Sequence, residues 1–250
     1  MTRKDLEIKE ENAKEIDFVD KDITSFGDIA HVCEFKPQFQ LEYVQLTCLS
    51  LSHNKITVVP PGIAALVNLE VLTLWNNRIE DLPPSISSLA KLRVLNLGMN
   101  RLWTLPRGFG SFKALEVLDL THNNISEKSL PGNFFMIESL RALYLGDNDF
   151  EVLPPEIKNL KNLQILVLRD NNLVSLPSEI GELARLRELH LQGNRLTLLP
   201  PEVGTLDLIG SKSVFRLDSN PWVTPIAEQL GKGDFSLTNL VNYIRSDTYI

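Results

Sequence analysis

The chain has 250 residues, of which 43% are hydrophobic and 23% charged, enough apolar material for a real core. Its 32 acidic and 25 basic side chains leave a formal charge of −7. With no run of Lys or Arg, the sequence lacks the electrostatic footprint that nucleic acid or an anionic membrane surface demands.

A basic or zinc-bearing protein surface suits such a chain better. No segment approaches the ~20 apolar residues of a membrane span. The opening MTRKDLEIKEENAKEI is charged throughout and has no apolar stretch of signal-peptide type. Only two cysteines occur, Cys33 and Cys48, so disulfide-protected ends are not expected. Together these features place the chain in the cytoplasm, and the sequon Asn124-Ile125-Ser126 is read as chance.

In chain order, residues 2–15 read as a charged amphipathic helix with Leu6 and Ile8 facing inward, an N-terminal cap over 1–15. Residues 16–26 keep the apolar rhythm Ile16, Phe18, Ile23 and Phe26, with Lys21 where later units have Asn. They form a degenerate first repeat. Residues 27–41 are irregular. From there L-x-x-L-x-L-x-x-N-x-L-x-x-L-P recurs, its Asn at 54, 77, 100, 123, 148, 171, 194 and 220. The intervals are 23, 23, 23, 25, 23, 23 and 26 residues. A repeat of this period means a leucine-rich-repeat solenoid.

Each unit has a physical logic. In L-x-L the leucines point inward and the residue between them outward, because strand side chains alternate. So short a strand cannot bury its apolar face alone, and neighbours must stack. The Asn amide, both donor and acceptor, satisfies turn backbone groups within and between repeats. Leu-Pro forces an extended path. The outer P-x-x-I-x-x-L, as in Pro83 to Leu89, fits a short helical or 3-10 turn. A thin strand inside and a bulkier turn outside curve the stack into a horseshoe with a concave parallel sheet. The fourth repeat is longer, with SEKSLPGN at 126–133 as a loop on the outer side. Residues 204–213 are irregular. Residues 221–250 form the C-terminal cap, with a helix from about Ser236. The expected whole is one domain over 1–250, with repeats over 16–220.

The register names the outward-facing residues. Asn96, Asp119, Tyr144, Arg169 and His190 are expected in one row about 20 Å long, and Arg216 belongs to the same face. Trp75, Met99 and His122 extend it toward the N-terminal side, and Asp147 and Asp170 come one step after the strands. An aromatic, an arginine, acids and hydrogen-bonding groups make up the composition of an interface hot spot. The plainer reading is a solvated sheet held by pairs such as Asp119 with Arg169 or Arg169 with Asp147. Gly98 and Gly146 either lower the sheet surface for a partner or are strand breaks of no consequence.

Little chemistry is expected. His31, Cys33, Cys48 and His53 lack the C-x-x-C spacing of a zinc site, so no metal is assigned. His122 beside Asp119 and His190 near Asp170 sit on an open sheet without an enclosed pocket or a nucleophile. Gly231-Lys232-Gly233 lacks the spacing of a phosphate-binding loop. Neither catalysis nor a cofactor is expected.

The stretches NLGMNRLWTLPRGFGSFKALEVLDLTHNN (96–124), SLPGNFF (129–135), RALYLGDNDFEVLPPEI (141–157), RLTLLPPEVGTLDLIG (195–210), NPWVTPIA (220–227) and YIRSDTY (243–249) resemble the Ras suppressor protein family. NPWVTPIA lies outside the repeat template and is more specific than any leucine pattern. The resemblance implies an adaptor at cell–matrix adhesions that binds the last LIM domain of PINCH. It thereby joins integrin-linked kinase and parvin and restrains Ras-dependent signalling. The alternative is a direct regulator of a Ras-type small GTPase or of a protein phosphatase.

Overall fold

The computed structural model describes residues 14–29, 45–231, 236–246, 248 and 249. The expected N-terminal helix, with Leu6 and Ile8, falls outside these, as do His31 and Cys33. Nine parallel strands of three residues each make one open sheet in sequence order. They are β1 (Glu15–Asp17), β2 (Cys48–Ser50), β3 (Val71–Thr73), β4 (Val94–Asn96), β5 (Val117–Asp119), β6 (Ala142–Tyr144), β7 (Ile165–Val167), β8 (Glu188–His190) and β9 (Val214–Arg216). The degenerate first repeat supplies β1, which begins at Glu15, inside the stretch assigned to the N-terminal cap. Short 3-10 turns such as Pro84–Ser88, Pro155–Asn159 and Ser178–Glu182 form the outer side. The fold is therefore the leucine-rich-repeat horseshoe that the period implies.

The central leucines of β2 to β8 align strand by strand, Leu72 on Leu95 and Leu95 on Leu118 among them. With the leucine that follows each of these strands and the buried apolar side chain of each outer turn, Ile86, Phe109 and Val203 among them, they form one continuous buried core. Each strand turns its central side chain into the core and the other two toward the concave face, so stability comes from stacking.

The asparagines close the stack. At Asn100, Nδ2 donates to the carbonyls of Leu74 in the preceding repeat and Leu97 in its own, both at 2.9 Å. Its Oδ1 accepts from Ile79 N–H at 3.0 Å. The same pattern runs from Asn54 to Asn220. The first repeat has no Asn of its own, yet its Lys21 and Ile23 N–H groups donate to Asn54 Oδ1. One side chain type thereby satisfies turn groups that would otherwise be buried unpaired.

The longer fourth repeat does not stand away from the body. Ser126 and Ser129 cap a 3-10 turn over Glu127–Ser129, and Ser129 Oγ donates to Trp103 O at 2.8 Å. Leu105 N–H donates to Ser129 O at 3.1 Å. Phe109 stacks on Phe134 at 6.1 Å and meets Phe112 edge-on. A Cβ on Gly110 would collide with the Asn133 carbonyl, so glycine lets the two repeats close.

The far end carries helices α1 (Thr224–Gly231) and α2 (Leu237–Ile244). Ser236 Oγ caps α2 by accepting from Thr238 N–H at 3.2 Å. Leu240, Val241 and Ile244 are buried, and Arg245 Nε donates to Gly204 O. The Tyr249 hydroxyl donates to Leu199 O at 2.6 Å and accepts from Leu199 N–H at 3.1 Å.

Candidate protein-binding face

The outward strand positions fall into parallel rows across the concave sheet. One is an apolar stripe, Val71, Val94, Val117, Ala142 and Ile165. The next runs Thr73, Asn96, Asp119, Tyr144, Val167, His190 and Arg216. Arg169 is not in it. Tyr144 pairs with Val167, and Val167 with His190, which corrects the expected row. The misassignment is one of counting: Arg169 lies two residues past Val167, where the side chains point the same way again. It belongs with Trp75, Gly98, Thr121, Gly146 and Gln192, whose carbonyls accept successive N–H groups of the neighbouring repeats.

His53, Asn76, Met99, His122, Asp147, Asp170 and Ser219 each precede a ladder Asn, and all have φ between 51° and 56°. Gly193 takes the same place with φ 70°. The left-handed bend turns the chain off the strand, and Asn, Asp, His and Gly are the residues that tolerate it best. His122, Asp147 and Asp170 therefore have a backbone reason to be where they are, beyond any contact with a partner, whereas Met99 takes the same bend without being one of these types. The Asn, Asp and His at this step carry the signal of the bend, and Met99 does not. His53 Nδ1 is bonded to Asn76 Nδ2 at 2.9 Å.

Arg169 is held between two carboxylates, Asp147 Oδ2 at 2.8 Å and Asp170 Oδ2 at 2.7 Å. Asp119 does not pair with it. Its Oδ1 instead accepts from Thr121 N–H at 2.9 Å, and Asn96 Oδ1 accepts from Gly98 N–H at 3.1 Å. Both side chains are thus fixed by their own strand ends and offer their remaining polar atoms outward.

Neither reading of the glycines describes what they do. A Cβ at Gly98 would run into the Trp75 ring, and one at Gly146 would meet Arg169 Cγ at 2.9 Å. They give room for long side chains of the neighbouring repeats to fold across the sheet.

Burial pushes the Tyr144 hydroxyl pKa up, helped by the charges of Glu188 and Asp119. Burial pushes His190 down, against the pull of Glu188 3.7 Å away, while Arg216 and Arg169 add to the depression. Glu188 and Gln192 join the site without having been singled out, and Gln192 Oε1 is enclosed with no donor among the described residues. Across this face Asp119, Asp147, Asp170, Glu188 and Asp218 outnumber Arg169 and Arg216, so it is acidic. Among the described residues no hydroxyl or thiol is hydrogen-bonded to a histidine, and no group of three His, Cys, Asp or Glu could hold a metal. Cys48 is half-buried in β2, its pKa raised by burial.

The chain matches the leucine-rich repeat region family over residues 31–132 and 109–240. It is 68% identical to human Ras suppressor protein 1 over 97% of its own length and 84% of that protein. The bovine protein of that name is 67% identical over the same shares. The chain belongs to the Ras suppressor protein family.

Solved structures give the same architecture to this Ras suppressor relative. A leucine-rich-repeat protein of Leptospira interrogans superposes with a TM-score of 0.58 at 35% identity, covering 78% of this chain and 54% of that one. The leucine-rich-repeat ectodomain of an Arabidopsis thaliana membrane receptor kinase, solved in complex with Casparian strip integrity factor 2, gives 0.64 at 30% identity, over 75% of this chain and 23% of that one. Fold and family are those of a protein-interaction scaffold. No helix among the described residues is long and apolar enough to cross a membrane.

Proposed function

We propose that the protein is a non-catalytic adaptor whose concave face binds a LIM domain of PINCH type. It thereby joins integrin-linked kinase and parvin at cell–matrix adhesions and links them to Ras-dependent signalling. The observation that carries this reading is the row Asn96, Asp119, Tyr144, His190 and Arg216, in register across the sheet, with Arg169 braced beside it. A fixed, acidic, partly aromatic surface complements a basic, zinc-bearing module, and bracing an arginine in advance lowers the entropy it loses on binding. The proposed contact set is Trp75, Asn96, Met99, Asp119, His122, Tyr144, Asp147, Arg169, Asp170, His190 and Arg216.

The test is pull-down of a purified PINCH LIM domain by Asp119→Ala and Arg169→Ala, with thermal melts alongside. Binding is expected to be lost in each while the melts stay near wild type, and binding retained in both removes the concave site. The name of the curated relatives supports a second reading, direct action on a Ras-type GTPase. Nucleotide exchange and hydrolysis by a purified GTPase, with and without this protein, separate the two.

A further inference from the structure

The solenoid's chemistry reverses on the edge where the chain rises into each strand. Between residues 91 and 185 this edge carries Lys91, Arg93, Lys113, Arg141, Lys161 and Arg185, all exposed. The carboxylates on the same edge there are Glu116, Glu138 and Glu182, the last paired with Lys161 at 3.0 Å. A chain that is acidic as a whole thus has one cationic side, assembled from residues about a repeat apart. Several of these charges are not neutralised internally. Arg93 and Arg141 share the single carboxylate of Glu116, at 2.8 and 3.5 Å. Lys91 and Arg185 bond to the uncharged amides of Asn68 and Asn162. Lys113 has no partner among the described residues.

Two adjoining recesses lie among these cations, with Asn162 lining both. One, of about 240 Å³, has Arg93, Glu116 and Arg141 in its wall. The other, of about 410 Å³, is bordered by Phe135, Met136 and Lys161. Met136 is 60% exposed, an apolar surface on a recess whose wall also holds Glu138, Asn159 and Asn162. Glu116 shows how a carboxylate is captured here, between arginines of the repeats on either side.

We propose that this edge is a docking surface for an acidic protein segment bearing one apolar anchor. The anchor enters the recess beside Met136, and flanking carboxylates reach Lys113, Arg141 and Arg185. Five repeats at ~4.8 Å spacing give a line of about 20 Å, the reach of about six extended residues. A narrow line suits a segment better than a lipid surface, which Glu116 and Glu138 would repel. The surface is separate from the acidic concave face, so the inference does not depend on the adaptor reading.

The probe is a fluorescein-labelled peptide of Asp, Glu and Ser with one central Leu, titrated with the full chain and followed by anisotropy. Expected is saturable binding, weakened by salt, reduced about tenfold or more by Arg141→Glu with Arg185→Glu and unchanged by Asp119→Ala. Met136→Ser is expected to weaken it by a smaller factor. Arg185→Glu alone, which leaves Glu116 and its two arginines intact, guards against a folding artefact in the double variant. Absent or unsaturable binding overturns the proposal, as does equal binding to the charge-reversed chain or equal affinity for a peptide whose Leu is replaced by Ser. Preferential binding to phosphatidylserine vesicles, lost in the same variants, overturns it in favour of a membrane. Self-association abolished by Arg141→Glu overturns it in favour of a second copy.

Discussion

The indole of Trp75 fills the space that a β-carbon on Gly98 would occupy. The two residues lie side by side on adjacent repeats, since Asn76 N–H donates to Gly98 O at 2.9 Å. Trp75 is thereby laid across the concave floor.

Gly98→Ala should dislodge that ring. The β-carbon meets the far part of a half-exposed side chain, which can move, so the stability cost is small, no more than about 1 kcal/mol. Tryptophan emission should shift to the red in this variant, and no shift should follow when Trp75 is already replaced by Phe. An unchanged spectrum would mean that the ring is not held there.

Asn123→Ala removes an amide 8% exposed that donates to the Leu97 and Leu120 carbonyls and accepts from Leu102 N–H. It strands backbone groups of two repeats in a place water cannot reach. A loss of about 2–4 kcal/mol is expected from urea unfolding. Substituting Asn124, exposed and next in sequence, should cost far less.

His190 carries a pH dependence whose sign follows from its surroundings. Burial lowers its pKa from the ordinary value of 6.5, so the folded chain resists protonation more than the unfolded one. Its neutral form contributes fully above that value, and stability falls as pH drops below it toward the depressed folded pKa. An NMR titration should put the His190 midpoint below 6.5. Between pH values of about 7.5 and 5.5, wild type should lose more stability than His190→Gln.

Tyr249→Phe deletes the hydroxyl that bridges the N–H and carbonyl of Leu199. The cost should be about 1 kcal/mol. Amide exchange should quicken at Leu199 and in α2 while β4 to β6 keep their protection, because repeat arrays loosen from their ends.

The spacing of Leu and Asn announces nearly all of the fold, since a period-two strand inside a fixed repeat allows one inward and one outward set. Leu95, Leu97 and Asn100 have no other place to go. The left-handed bend at His53, Asn76, Met99 and Asp170 was partly legible, in its Asn, Asp and His but not in Met99. Helix α1 was less so, because it obeys no repeat.

By itself the sequence determined the register, the buried asparagine ladder and the membership of the concave face. Local alternation and an obligatory hydrogen-bond count leave each of these a single solution. Tertiary structure alone decided where the long side chains come to rest: Arg169 on Asp147 and Asp170 rather than Asp119, Trp75 over Gly98, and Arg93 and Arg141 on one Glu116. Such side chains reach several neighbours from one Cα. Only the curvature of the stack and the space left by glycines select among those partners.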